Sequence, residues 1–230
     1  PQPRPPPLFP QCEDYVQMVL VFDRSGSMRG QISNAASFAR QIVSQLDVEG
    51  GYAEVGVIEF SSNDVQLAPL SSSPSAIEAA IENCIVARLE RVPLARAAAF
   101  SAAVWVSMLT RTRASARADG PASGATNINA GLNAASDLLG SYDGSPPHKL
   151  IMLLTDGEQN SRYGGSSAAI STADDIKSEG VKIFAVGFGG AQVSTLDGMA
   201  SSPASQYAYL GTSIGDIMSH FRDLCGFLKA

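Results

Sequence analysis

The sequence lacks three features that would each indicate a familiar class of protein. No run of about eighteen apolar residues free of charge occurs, so we predict no transmembrane segment. Lysine and arginine number 16 against 22 aspartates and glutamates, and the net charge of −6 argues against a general nucleic-acid-binding protein. The 2 histidines, His148 and His220, are isolated, so neither marks a nucleophile paired with a base. At 230 residues, the chain suits one α/β domain with a sizeable core.

The most informative stretch is an apolar run that ends abruptly in polar residues. The run Val16–Phe22 is typical of a strand buried on both faces of a parallel sheet. Asp23, Ser25 and Ser27 follow at alternating positions, just past the carboxyl end, where open α/β sheets bind their ligands. One carboxylate and two hydroxyls that converge there suit a hard cation such as Mg²⁺. Taken alone, the same residues are also compatible with an ordinary Ser/Gly turn.

Segments of strand and helix pattern alternate along most of the chain. Further strands are predicted at Ala53–Phe60, Lys149–Leu154, Val181–Val186 and Gln206–Leu210, with a short antiparallel one at Val65–Leu67. Helical periodicity marks Gly30–Leu46, Ala76–Asn83, Asn127–Gly140, Ser166–Glu179, Val193–Ala200 and Ser213–Leu228. This alternation predicts a doubly wound, mostly parallel α/β sheet with one antiparallel edge strand and helices on both faces.

Three segments together resemble a known family. They are LVFDRSGSM, then SGATNINAGL with Thr126, then LIMLLTDGE with Asp156. In this order they resemble the von Willebrand factor A (VWA) or integrin I-like domains and their metal-ion-dependent adhesion site (MIDAS), over about residues 14–225. The resemblance implies a Rossmann-like VWA fold and a bound Mg²⁺ or Mn²⁺. The metal-site residues that it implies are Asp23, Ser25, Ser27, Thr126 and Asp156.

The resemblance also implies how such a site works. In the family, the two serine hydroxyls and, in the ligand-competent state, the threonine hydroxyl hold the metal, while the aspartates act largely through coordinated water. A carboxylate from an Asp or Glu of a protein partner completes the coordination. We therefore predict a non-enzymatic cell-adhesion module. Its predicted partner is an extracellular-matrix or cell-surface protein and not a nucleic acid.

Two other functions remain open at this point. One is an intracellular complex-assembly module, similar to the metal-site subunits of chelatases. The other is a metal-dependent phosphohydrolase that uses Asp23. An aspartyl-phosphate enzyme would have a second aspartate two residues later, where this chain has Ser25.

Two of the 3 cysteines lie near the ends of the resemblance. Extracellular members of the family carry a terminus-to-terminus disulfide, which here would join Cys12 and Cys225. The bond would place the protein in an oxidising compartment, secreted or at the cell surface. The alternative is two unrelated buried thiols. Cys84 is left over in either case.

The two regions that do not fit the family pattern are the start of the chain and an insertion. Residues 1–11 are Pro-rich and predict an extended linker before a domain at 12–228, and the start without methionine predicts a piece of a longer chain. The insertion, at about 84–120, holds half of the arginines and the single tryptophan, Trp105. It could contact a partner or membrane surface, be a non-native segment, or be a loop without function.

Overall fold

The computed structural model describes residues 15–62, 64–86, 124–141 and 148–211. The Pro-rich start, nearly all of the insertion and the predicted helix Ser213–Leu228 lie outside these ranges, as do Cys12 and Cys225.

Six strands form one sheet within the described residues. They are β1 (Val16–Asp23), β2 (Ala53–Phe60), β3 (Asp64–Ser71), β4 (His148–Thr155), β5 (Lys182–Phe188) and β6 (Ala208–Gly211). Their order is β3-β2-β1-β4-β5-β6. Only β3, at one edge, is paired antiparallel to its neighbour. The predicted fold class is therefore confirmed.

The described helices pack around this sheet. They are α1 (Ile32–Val43), α2 (Pro74–Val86), α3 (Ile128–Gly140), α4 (Gly165–Ser178), α5 (Val193–Met199) and α6 (Ala204–Tyr207). Short 3₁₀ turns occur at Gly26–Met28 and Ser161–Tyr163. Helix α1 lies beside α2, and α4 lies between α3 and α5. In the described part of the chain, no helix is both long and apolar enough to cross a membrane.

The central strand β1 lies in the middle of the core. All of its residues from Val16 to Asp23 are buried. Because successive side chains of a strand point to opposite faces, both faces of the sheet are covered at β1. Helix α3 approaches the sheet closely at Gly131, where a Cβ would lie 2.6 Å from the Phe60 ring and 3.0 Å from Val21. The loop that carries Thr126 enters this helix directly.

Several strand ends differ from the sequence prediction, and the differences at β3 and β6 have a clear physical reason. The antiparallel strand is Asp64–Ser71, longer than the predicted Val65–Leu67, and it contains Pro69. An edge strand tolerates proline because one side of it needs no backbone donor. The last described strand begins at Ala208, later than the predicted Gln206. Pro203 precedes a helical turn whose Gln206 N–H donates to the Pro203 carbonyl at 2.9 Å, so the chain becomes extended only after Tyr207.

Candidate metal centre

The candidate site lies where the direction of winding of the sheet reverses. From β1 the chain crosses to β2 on one side, and from the adjacent β4 it crosses to β5 on the other. The carboxyl ends of both strands therefore open into one crevice, the usual ligand position in such sheets. Asp23 ends β1, and Asp156 immediately follows β4.

The two loops meet through their side-chain oxygens. Ser27 Oγ donates a hydrogen bond to Asp156 Oδ1 at 2.8 Å, and Ser25 Oγ lies 3.1 Å from Ser27 Oγ. Ser25 and Asp156 are buried, whereas Ser27 is exposed. The three side chains therefore form a continuous set of oxygens that is reached from solvent on the Ser27 side.

Asp23 supports this loop from beneath. Its carboxylate is fully buried, and it accepts hydrogen bonds from Ser25 N at 2.7 Å and from Thr155 Oγ1 at 2.6 Å. Burial raises the pKa of Asp23 from 3.8 to about 6, although both hydrogen bonds oppose the change. Asp23 therefore holds the backbone of the serine loop in place. Its negative charge is energetically costly because the carboxylate is buried.

Thr126 reaches the site from the loop that precedes α3. A Cβ on Gly157 would lie 3.5 Å from Ser27 Oγ and 3.7 Å from Thr126 Oγ1, so both hydroxyls border this glycine. Backbone hydrogen bonds hold the loop in place, from Gly26 N to Gly124 O at 3.3 Å and from Asn160 N to Thr126 O at 2.9 Å. The structure thus brings all the predicted metal-site residues together.

Arg24 anchors the serine loop to β2. Its backbone N–H donates to Phe60 O at 2.6 Å, and its guanidinium donates to Glu59 at 2.7 Å. Both side chains of this ion pair are largely buried, with 14% and 11% exposed. The loop between Asp23 and Ser25 is therefore tied to its neighbouring strand by main chain and side chain together.

The donor set suits a hard cation. It consists of three hydroxyls and two carboxylates, and burial raises the pKa of Asp156 as it does that of Asp23. A nearby dication would relieve both buried carboxylates. Among the described residues, no three His, Cys, Asp or Glu side chains cluster as a soft or carboxylate-rich metal site would require. The residues present therefore fit a magnesium-like ion.

The sequence interpretation missed two supporting residues. Thr155 is fully buried, and its hydroxyl bridges Asp23 and Gly157 N, the latter at 3.2 Å. Gln159 is 4% exposed, and it links the loop after β4 to the start of α3. For Thr155 the sequence does carry a signal, because a threonine stands immediately before Asp156 at the end of an apolar strand. No sequence signal distinguishes Gln159 from a surface glutamine.

Comparison with known proteins finds matches to models of this family in two separate stretches of the chain. Two family models, both described as von Willebrand factor type A domain, match residues 18–103 and 114–222. Collagen alpha-4(VI) chain of Mus musculus is 24% identical over 205 residues, or 87% of this chain. The sushi, von Willebrand factor type A, EGF and pentraxin domain-containing protein 1 of Rattus norvegicus is 27% identical over 202 residues, also 87%. The chain spans only 7% and 5% of these two relatives.

Solved structures share the fold. Proximal thread matrix protein 1 from the mussel byssus, solved with a zinc-occupied MIDAS motif, has a TM-score of 0.64 at 20% identity, covering 95% of this chain and 49% of that one. The vWF domain of the pilus tip protein Mfa5 from Porphyromonas gingivalis has a TM-score of 0.64 at 11% identity, covering 94% and 95%. The two family matches and the curated relatives thus agree with the resemblance of this chain to von Willebrand factor type A domains, and the solved structures share its fold.

Proposed function

We propose that this chain is a non-enzymatic adhesion module that captures an acidic group of a protein partner through a divalent cation. The cation is Mg²⁺ or Mn²⁺, and the hydroxyls of Ser25, Ser27 and Thr126 hold it directly. Asp23 and Asp156 orient coordinated water and hold the hydroxyls in place. The observation that carries the proposal is the meeting of Ser27 with Asp156 at 2.8 Å, with Thr126 beside the same glycine. These residues come from three separate segments of the chain.

The arrangement of the protein groups explains what such a site does. Neutral hydroxyls leave a bound dication with much of its positive charge, and Mg²⁺ keeps exchangeable waters that a foreign carboxylate can replace. Asp23 is engaged by Ser25 N and Thr155 Oγ1, so it orients the loop rather than reaching solvent. The exposed Ser27 lies on the side from which a partner would approach. A single contact of this kind gives modest affinity, and surrounding loops must supply specificity.

We further propose that the protein is extracellular and binds a matrix or cell-surface partner. The support is its similarity to a collagen VI chain and to a protein that combines sushi, VWA, EGF and pentraxin domains. The rival proposal, an intracellular module that assembles complexes, uses the same metal site. The two differ in the state of Cys12 and Cys225, which the rival expects to be free thiols.

The testing experiment is Mg²⁺ titration by calorimetry. We expect Ser25→Ala/Ser27→Ala to lose binding, because it removes two hydroxyl ligands from the site. A peptide that carries an aspartate should tighten Mg²⁺ binding by the wild type. The matched control is Ser33→Ala/Ser37→Ala on α1, where Ser37 Oγ donates to Ser33 O and neither side chain touches the site. The control should bind as the wild type does.

Two results would contradict the proposal. One is a folded wild type that binds neither Mg²⁺ nor Mn²⁺. The other is hydrolysis of a generic phosphate ester that disappears in Asp23→Asn, which would make the protein a phosphohydrolase instead.

A further inference from the structure

Gln159 is a buried polar side chain whose amide hydrogen-bonds to backbone groups at the start of α3 and to one carbonyl four residues along its own segment. Its Oε1 accepts hydrogen bonds from Ile128 N at 2.6 Å and from Asn129 N at 3.4 Å, the first amides of α3. Its Nε2 donates to Tyr163 O at 3.0 Å, in the 3₁₀ turn after β4. The side chain is 4% exposed, so water does not readily substitute for these partners.

These contacts give α3 an N-terminal cap from a distant segment. The first amides of a helix have no partner within it and need one from elsewhere. The side chain of the local cap residue, Asn127, accepts from Ala130 N at 3.3 Å, and its carbonyl accepts from Ala130 N and Gly131 N. Gln159 therefore serves the two amides that Asn127 leaves, from 31 residues along the chain.

The position of this cap matters because of what lies on either side of it. Thr126 is two residues before Ile128, and Asp156 is three residues before Gln159. Two other hydrogen bonds join these two segments in the described part of the chain, from Asn160 N to Thr126 O at 2.9 Å and from Asn129 Nδ2 to Tyr163 O at 3.4 Å. Gln159 makes the shortest of these contacts, at 2.6 Å, and together with the other two bonds it holds the loop that carries Thr126 against the loop that carries Asp156.

We propose that Gln159 is a positioning residue that holds Thr126 in register with Asp156 for metal binding. The inference rests on the proposed function for its effect on metal affinity. Its structural part, that the Gln159 amide clamps the two loops together, can be tested without metal.

The first arm measures amide hydrogen exchange in metal-free protein. Gln159→Met keeps the length of the side chain but removes its donor and acceptors, so exchange at Ile128 and Asn160 should become at least tenfold faster. Gln159→Glu keeps an oxygen acceptor, and a carboxylate is favourable at a helix N-terminus, so it should restore protection at Ile128. Asn160→Ala is the matched control, because the Asn160 side chain caps only the local 3₁₀ turn through Arg162 N. It should leave exchange at Ile128 unchanged.

The second arm measures Mg²⁺ affinity in a double-mutant cycle. We expect Gln159→Met to weaken binding by about tenfold, in the range found for groups that orient metal ligands. In a Thr126→Ala background, the same substitution should change affinity less than about twofold, because there is no hydroxyl left to position. If Gln159→Met does not fold, Gln159→Asn replaces it, since its shorter side chain cannot reach both partners.

The outcomes separate the two claims. If the amides of Ile128 and Asn160 exchange in Gln159→Met at the same rate as in the wild type, the clamp is overturned. An equal loss of affinity with and without the Thr126 hydroxyl overturns the positioning role. A wild type that binds no Mg²⁺ refutes the proposed function, and the exchange arm alone then decides the clamp.

Discussion

At the scale of single residues, the site is a set of hydroxyls supported by a carboxylate that is costly to bury. Asp23 receives two good hydrogen bonds, yet its burial still raises its pKa to about 6. The metal-free protein therefore retains an electrostatic strain that either a proton or a cation would relieve. Measurements on apo protein can reveal this strain without knowledge of the partner.

Metal-free wild type should become more stable as the pH falls from 7 to 4.5. A raised pKa in the folded state means that the folded protein binds the proton more tightly, so stability is greatest below the unfolded value of 3.8 and is lost as the pH rises through about 6. The difference corresponds to at most about 3 kcal/mol. Glu59 and Asp156 act in the same direction, because burial raises their pKa values too. Urea unfolding in EDTA across this range measures the change.

Asp23→Asn supplies the control for this prediction. The amide keeps the shape and removes the charge, and the Thr155 hydroxyl can turn to the Gly157 carbonyl, which lies 3.4 Å away. We expect the variant to be more stable than wild type at pH 7 and to show a much smaller pH slope. A wild-type slope in this variant would show that other carboxylates cause the effect.

Thr155→Val should weaken Mg²⁺ binding by about tenfold, on the proposed function. Valine has the same shape as threonine, but it leaves Asp23 without its 2.6 Å donor and Gly157 N without its acceptor. Calorimetric titration measures the loss. Thr155→Ser keeps the hydroxyl and should bind within about threefold of the wild type. Equal losses in both variants would indicate a packing effect.

At the scale of elements, the close approach of α3 to the sheet positions the Thr126 loop. Gly131 lies against Phe60 and Val21 with no room for a side chain. The same helix begins immediately after the loop that carries Thr126, and its first amides are held by Gln159. A change in how α3 sits on β1 and β2 would therefore move the Thr126 hydroxyl as well.

Gly131→Ala should destabilise the protein by about 1–3 kcal/mol, because its Cβ would overlap the Phe60 ring and press on Val21. Gly140→Ala is the control on the same helix. Nothing lies within 4 Å of a Cβ there, so alanine should be neutral or stabilising by up to about 1 kcal/mol. Thermal unfolding of the two variants gives the comparison. Equal stabilities would mean that α3 can move away from the sheet at little cost.

The sequence was sufficient for the elements that follow hydrophobic pattern. The uninterrupted apolar run before Asp23 predicted a strand covered on both faces, and β1 is buried throughout. The alternation of Asp23, Ser25 and Ser27, and the family resemblance that adds Thr126 and Asp156, predict residues that the structure does bring together. Strand ends and ligand-bearing turns are readable because they are local features of the chain.

Hydrogen bonds between distant parts of the chain cannot be predicted from the local sequence pattern. Gln159 looks like a surface residue until its partners at Ile128 and Tyr163 are known. The start of β6 was placed too early because the helical turn after Pro203 depends on how Tyr207 packs, with its ring centroid 4.8 Å from that of Phe184. Such contacts join distant residues, and the local pattern carries no record of them.

At the scale of the whole molecule, the family pattern is interrupted between its two halves. The two family matches end and resume at residues 103 and 114, inside the predicted insertion. The domain at 12–228 with an insertion at about 84–120 remains a proposal, as does the Cys12–Cys225 bond. The cysteines offer the direct test of the compartment.

In the unreduced protein we expect Cys84 to be the one cysteine with a free thiol. An alkylating reagent should label it only after the protein has been unfolded. Cys84 is 2% exposed, and burial raises the pKa of its thiol, so the reactive thiolate is scarce. Peptide mapping by mass spectrometry should show Cys12 linked to Cys225. Rapid labelling of Cys12 and Cys225 without reductant would instead favour the intracellular rival.

The hydrogen bond between Ser27 and Asp156 joins residues 129 positions apart, and that between Asp23 and Thr155 joins residues 132 apart. During synthesis, the serine loop therefore leaves the ribosome long before its partners in β4 exist. Contacts of such sequence separation form late in folding, because a long loop must close first. On the proposed function, the chain therefore cannot capture a ligand until β4 and the loop after it have been synthesised.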